Sequence, residues 1–122
     1  MAEIIYETVT SDTVSEWIYA CDIDEFPENG GLCIQHKDLQ IAVFNFTRRN
    51  EWYATQNLCP HKHQMILSRG MVGSDNEEPK VACPFHKNTF SLKTGKNLNG
   101  SLCDIATYPV KIEQNKVMVG IA

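Results

Sequence analysis

Apolar and polar residues alternate in short bursts along this chain, and turn-forming residues separate the bursts. Trp17-Ile18-Tyr19-Ala20-Cys21 predicts a strand, and the polar stretch DIDEFPENGG (22–31) predicts a loop rich in turn formers. Leu32 to Ile34 and the alternating run Leu39 to Phe46 predict a hairpin closed by His36-Lys37-Asp38. TRRNE turns the chain again, and Trp52-Tyr53-Ala54-Thr55 predicts a strand running towards Cys59. VGSDNEEPK (72–80) reads as an exposed loop, from which Val81-Ala82 feed a short strand into Cys83. Thr89 to Leu92 alternates, Lys93-Thr94-Gly95 turns, and Tyr108 to Ile112 is expected to pair with Lys116 to Ile121 across Gln114-Asn115. No long amphipathic helix is visible; residues 10–16 predict one short turn at most. The expected class is therefore all-β, a sandwich or barrel of short strands.

Composition narrows this picture. A chain of 122 residues, 43% hydrophobic and 21% charged, fits one compact domain with little material for a second. Residues 1–14 read as an N-terminal lead-in and 15–122 as the domain. The net charge of -4 argues against a nucleic-acid partner. The acidic start of the chain lacks a secretory pattern, and no apolar run approaches a membrane span. A cytoplasmic, membrane-free setting is expected, in which five cysteines stay reduced and clustered ones bind metal rather than each other.

The chemistry concentrates in two loops. Cys59-Pro60-His61 is Cys-x-His, Cys83-Pro84-Phe85-His86 is Cys-x-x-His, and 21 residues (62–82) separate them. Two thiolates and two imidazoles suit zinc or an iron–sulfur centre. Structural zinc sites commonly pair like ligands on one turn, whereas here each loop offers one sulfur and one nitrogen. That mixture suits a two-iron group in which one iron takes both thiolates and the other both imidazoles, the Rieske ligation. A proline after each cysteine stiffens the loop and removes one N–H. His63 falls out of register for a ligand and reads as a surface or loop-capping residue beside the centre, with the option of titrating there. Met65 and Leu67 would shield the first loop from water, and His36 reads as a solvated turn residue. Cys21, Cys33 and Cys103 read as small hydrophobes on strands, and Trp17, Phe44, Phe46, Trp52 and Tyr53 as core or partner-facing surface.

The stretch CPHKH…LSRGMVG…VACPFHKNTFSLKTG resembles the Rieske domain family, from about Trp17 to Ile121. It is similar, more narrowly, to the small-subunit family of cytoplasmic NAD(P)H-dependent nitrite reductases, through LSRGMVG, PKVACPFHK, TFSLKTG and Lys87, where ferredoxins of the family usually have Gly. The resemblance implies a Rieske-type antiparallel β-sandwich or barrel with a small two-loop cluster-binding subdomain at about 57–92. It implies one [2Fe-2S] cluster held by Cys59, His61, Cys83 and His86. Some members of the narrower family keep the fold without the ligands; this chain retains all four. The extra cysteines that bridge the loops of high-potential members are replaced by Gln64 and Phe85, and the hydroxyls near the cluster by Asn88 and Phe90. A low potential is therefore expected.

No Gly-rich dinucleotide fingerprint and no nucleophile–base pair occur, so the chain holds no complete active site by itself. What the resemblance implies is an electron-transfer subunit. Its partner would be a large sirohaem- and flavin-bearing subunit, and the complex, an oxidoreductase, would reduce nitrite to ammonium in nitrate assimilation. Two alternatives stand beside it: a free Rieske ferredoxin serving a ring-hydroxylating dioxygenase, and a structural interaction module with zinc or no metal.

Overall fold

A computed structural model describes residues 6–26, 30–37, 39–46, 51–59, 64–75, 78–83, 89–98 and 104–122. Every strand pairing in it is antiparallel. The strands are β1 (Glu16–Asp22), β2 (Gly31–His36), β3 (Leu39–Phe46), β4 (Glu51–Gln56), β5 (Leu58–Cys59) and β6 (Gln64–Met65). They continue with β7 (Met71–Asp75), β8 (Glu78–Ala82), β9 (Thr89–Ser91), β10 (Thr107–Tyr108), β11 (Val110–Glu113) and β12 (Lys116–Ile121). Among the described residues the helical segments are three-residue 3-10 turns at Ser11–Thr13, Ile23–Glu25 and Leu67–Arg69. The all-β expectation holds, and none of the described helices is long and apolar enough to cross a membrane.

Two sheets enclose a first core. One is ordered β1-β12-β11 and the other β10-β4-β3-β2. Between them lie Cys21, Ile41, Val43, Ala54, Tyr108, Val117, Val119 and Ile121, with Val9 and Phe26 closing the ends. Val9 is held by its N–H, which donates to the Thr107 carbonyl at 2.9 Å. Phe26, inside the expected polar loop, turns inward and meets Trp52 edge-on with ring centroids 4.8 Å apart.

The second core uses the opposite face of β3. Ile41 and Val43 point into the first core, while Ala42, Phe44 and Phe46 point into the second. An apolar run without a polar gap, Ile41 to Phe44, is what a strand buried on both faces requires. Against that face packs a third sheet, β7-β8-β9, together with the short β5-β6 ribbon.

The 114–115 hairpin forms as expected, with Glu113 opposite Lys116 and both turn residues at positive φ (51° and 67°). That is the left-handed pair a two-residue hairpin needs, and asparagine tolerates it well. At Gly95 (φ 80°) the chain makes a left-handed turn against the Ile105 carbonyl, where a Cβ would clash.

Three expectations are corrected. Residues 72–80 are not an exposed loop but most of a hairpin: β7 pairs with β8 from Met71↔Ala82 to Asp75↔Glu78. Its polar composition hides two inward valines, since Val72 packs on the second core and Val81 is fully buried opposite it. Pro79 is buried too, and its carbonyl accepts from Leu92 N–H at 2.9 Å. Cys33 is exposed rather than buried, because β2 is an edge strand and its neighbours Leu32 and Ile34 are the residues turned towards the core. His36 closes β2 opposite Leu39 with a side chain only 20% exposed, and its Nε2 lies 3.8 Å from Glu16 Oε1. Cys103 lies outside the described residues.

Candidate metal centre

Cys59 and Cys83 enter the second core from two hairpins. Cys59 ends β5 and sits opposite Gln64 of β6, so positions 60–63 lie between paired strands. Cys83 follows β8 directly, and Ala82 pairs with Thr89 of β9, so positions 84–88 lie within a second hairpin. Both cysteines are buried, at 0% and 1% exposure, and belong to one cluster with Phe44, Leu67, Val81 and Phe90. The topology thus brings the two cysteines to one side of β3.

His61, His63 and His86 lie outside the described residues, as do Pro60, Pro84, Phe85, Lys87 and Asn88. Among the described residues no group of three or more His, Cys, Asp or Glu side chains converges. The described half of the expected ligand set is therefore its sulfur half. Two cysteines buried together in apolar surroundings fit a soft iron–sulfur group: thiolates are costly to bury without a cation, and iron supplies it.

The segment entering Cys59 is polar, and reading the sequence for metal ligands missed it. Gln56 and Asn57 are consecutive buried amides, at 6% and 2% exposure. Gln56 Nε2 donates to the Leu58 carbonyl at 2.8 Å, and its Oε1 accepts from Ala106 N–H at 2.8 Å. The Asn57 carbonyl accepts from Ile66 and Leu67 N–H at 2.9 and 3.0 Å, and its Oδ1 from Ser68 N–H at 2.7 Å. The roof is apolar, formed by Leu67 (0% exposed) with the partly buried Ile66 packed beside it. Gly70 lets the 67–69 turn lie on β8, since a Cβ there would meet the Ala82 carbonyl and Val81.

Phe90 is fully buried in the cluster of the two cysteines and carries no hydroxyl. The Ser91 hydroxyl donates to Glu78 Oε1 at 2.6 Å and accepts from Lys93 and Thr94 N–H, both at 3.2 Å. The described cysteines elsewhere, Cys21 and Cys33, are held towards the unreactive thiol form. Partial desolvation of its sulfur raises the thiol pKa of Cys33 although the residue is exposed, and burial followed by Glu25 and Asp22 raises that of Cys21.

Residues 16–120 match the family described as a Rieske-like [2Fe-2S] domain. A nitrite reductase [NAD(P)H] large subunit from Klebsiella oxytoca is 36% identical over 104 residues, covering 85% of this chain. The chain spans only 11% of that relative's length. The ferredoxin component of naphthalene 1,2-dioxygenase/salicylate 5-hydroxylase systems from a Ralstonia species is 38% identical over 104 residues, covering 84% of this chain and 93% of the relative. Among solved structures, a putative NADH-dependent nitrite reductase small subunit from Mycobacterium tuberculosis is similar at a TM-score of 0.82 and 25% identity, covering 88% of this chain and 96% of that one. With its two buried cysteines at neighbouring hairpin tips and a match over nearly its whole length, the chain belongs to the Rieske-like [2Fe-2S] domain family, whose work is electron transfer.

Proposed function

We propose that this chain is the Rieske-type electron-transfer small subunit of an NAD(P)H-dependent nitrite reductase. Its ligands in that role are Cys59 and Cys83 on one iron and His61 and His86 on the other. The observation that carries the reading is the match to nitrite reductases both in sequence and in fold, including a solved small subunit of nearly the same length. LSRGMVG and Lys87 favour the same family. The cluster-binding unit in this reading runs over about 57–92, and the setting is cytoplasmic, where thiols stay reduced.

When bound, the cluster supplies a one-electron couple. The chain's own residues set the conditions for it. Leu67, Phe90 and Val81 keep water from the cysteine side, and the two hairpins hold the thiolates at fixed separation. In this reading the reduction to ammonium falls to a large subunit bearing flavin and sirohaem.

Tagged protein from its native host is expected to co-purify with that large subunit. The competing reading, a free ferredoxin, is favoured by the likeness to the Ralstonia component over most of its length. Recovery of a ring-hydroxylating oxygenase in place of the reductase would decide for it.

The reduction potential is expected in the lower part of the Rieske range, nearer about −150 mV than +300 mV. Phe90 brings no hydroxyl to the sulfurs, and Ser91 is already engaged by Glu78. Fewer donors leave the reduced, more negative state less stabilised. Protein-film voltammetry measures this directly, and a midpoint well above zero contradicts it.

A further inference from the structure

We infer that Asn57 is the positioning residue of the first cluster loop, through a hydrogen-bond hub that seats the Ile66–Ser68 roof over Cys59. The inference rests on the Rieske reading above. Asn57 sits two residues before Cys59 and is 2% exposed, yet it uses every polar atom it has. Its N–H donates to the Gln40 carbonyl at 2.9 Å, and its own carbonyl takes the Ile66 and Leu67 N–H groups together. The Oδ1 accepts from Ser68 N–H at 2.7 Å, while Nδ2 donates to Gln40 Oε1 at 3.3 Å and Cys33 Sγ at 3.4 Å. One side chain therefore joins the start of β5, the edge pair β2-β3 and the 3-10 turn that follows the loop.

This geometry does more than satisfy a buried amide. Three successive N–H groups, of Ile66, Leu67 and Ser68, converge on Asn57. They fix the chain leaving the loop relative to the chain entering it. The turn so held presents Leu67, fully buried, to the cluster that contains Cys59, Cys83 and Phe90. Without the side chain, the Ser68 N–H loses its acceptor, while the Ile66 and Leu67 bonds to the backbone carbonyl remain. The roof is then hinged at one end and open to water at the other. Water and chelators reach the sulfur side more often, although the apolar first core behind β3 keeps its packing.

The test compares holoprotein variants by the rate at which visible absorption is lost under an iron chelator, and by the spread of g-values in the reduced EPR spectrum. Asn57→Ala is expected to lose the cluster about tenfold faster than wild type, a difference of ~1.4 kcal/mol in barrier, with a broadened EPR line. Asn57→Asp keeps an acceptor for Ser68 N–H and is expected to recover most of the slow rate. Gln40→Ala removes one of the two Nδ2 acceptors, leaving Cys33 Sγ, and is expected to accelerate loss about threefold; it serves if Asn57→Ala does not fold. Val117→Ala weakens the first core and is expected to lower the unfolding midpoint while leaving the chelation rate at the wild-type value. Equal rates for wild type, Asn57→Ala and Gln40→Ala would overturn the inference alone. So would an acceleration by Val117→Ala as large as that by Asn57→Ala, since the role would then be general stability. A wild-type protein without visible absorption or reduced-state EPR signal overturns the cluster reading, and this inference with it.

Discussion

Replacing His61 by alanine is expected to abolish the cluster, whereas replacing His63 leaves it in place. The difference comes from register. Cys59 and Gln64 face each other across the β5-β6 ribbon, so the positions between them are few and each has a fixed distance from the cysteine along the chain. Only His61 gives Cys-x-His, the spacing that pairs with Cys83 and His86 in a Rieske centre. Loss of one imidazole leaves an iron with an incomplete protein ligand set and water access, and cluster content should fall to near zero. Iron and acid-labile sulfide analysis with reduced-state EPR measures this, and His86→Ala is expected to match His61→Ala. Cluster loss in His63→Ala with retention in His61→Ala would reverse the assignment.

The largest effect on stability is expected at Phe90. Its ring is fully buried in the second core with both cysteines, and its strand neighbour Val81 is fully buried too. Truncation to alanine deletes a large side chain where β8, β9 and β3 meet, at a cost of about 3–5 kcal/mol. Against a total of about 5–15 kcal/mol for a small domain, that is at least about a fifth of what holds it folded. Denaturant titration of the metal-free protein reads the loss without interference from iron binding. A change below about 1 kcal/mol would mean that the second core collapses around the gap and that Phe90 is not a central packing residue.

Much of this was legible in the sequence, for reasons that vary by element. Strands β1, β3, β4, β11 and β12 announce themselves through apolar periodicity, and the 114–115 turn through its position between two such runs. The two Cys-Pro loops were legible because mixed sulfur and nitrogen donors at that spacing have few uses. The β7-β8 hairpin was not, because Asp75, Glu78 and Lys80 outweigh its two inward valines in any local window. Nor was the exposure of Cys33, which depends on which face of an edge strand meets the core. The Gln56-Asn57 pair was missed because buried amides become visible only once their partners, distant in sequence, are known. The imidazole half of the ligand set rests on pattern alone, since His61 and His86 lie outside the described residues.

Among the described residues, strand β3 separates two interiors that share no buried side chain, Ile41 and Val43 serving one and Ala42, Phe44 and Phe46 the other. For a lineage accumulating substitutions, such a partition decouples inheritance of the scaffold from inheritance of the metal. Residues that fill the sandwich pack apart from the cysteines, so substitution of a ligand leaves the first core filled. A domain divided this way can be retained as a docking body after its redox role is gone, or handed from one oxidoreductase assembly to another with only one compartment rewritten.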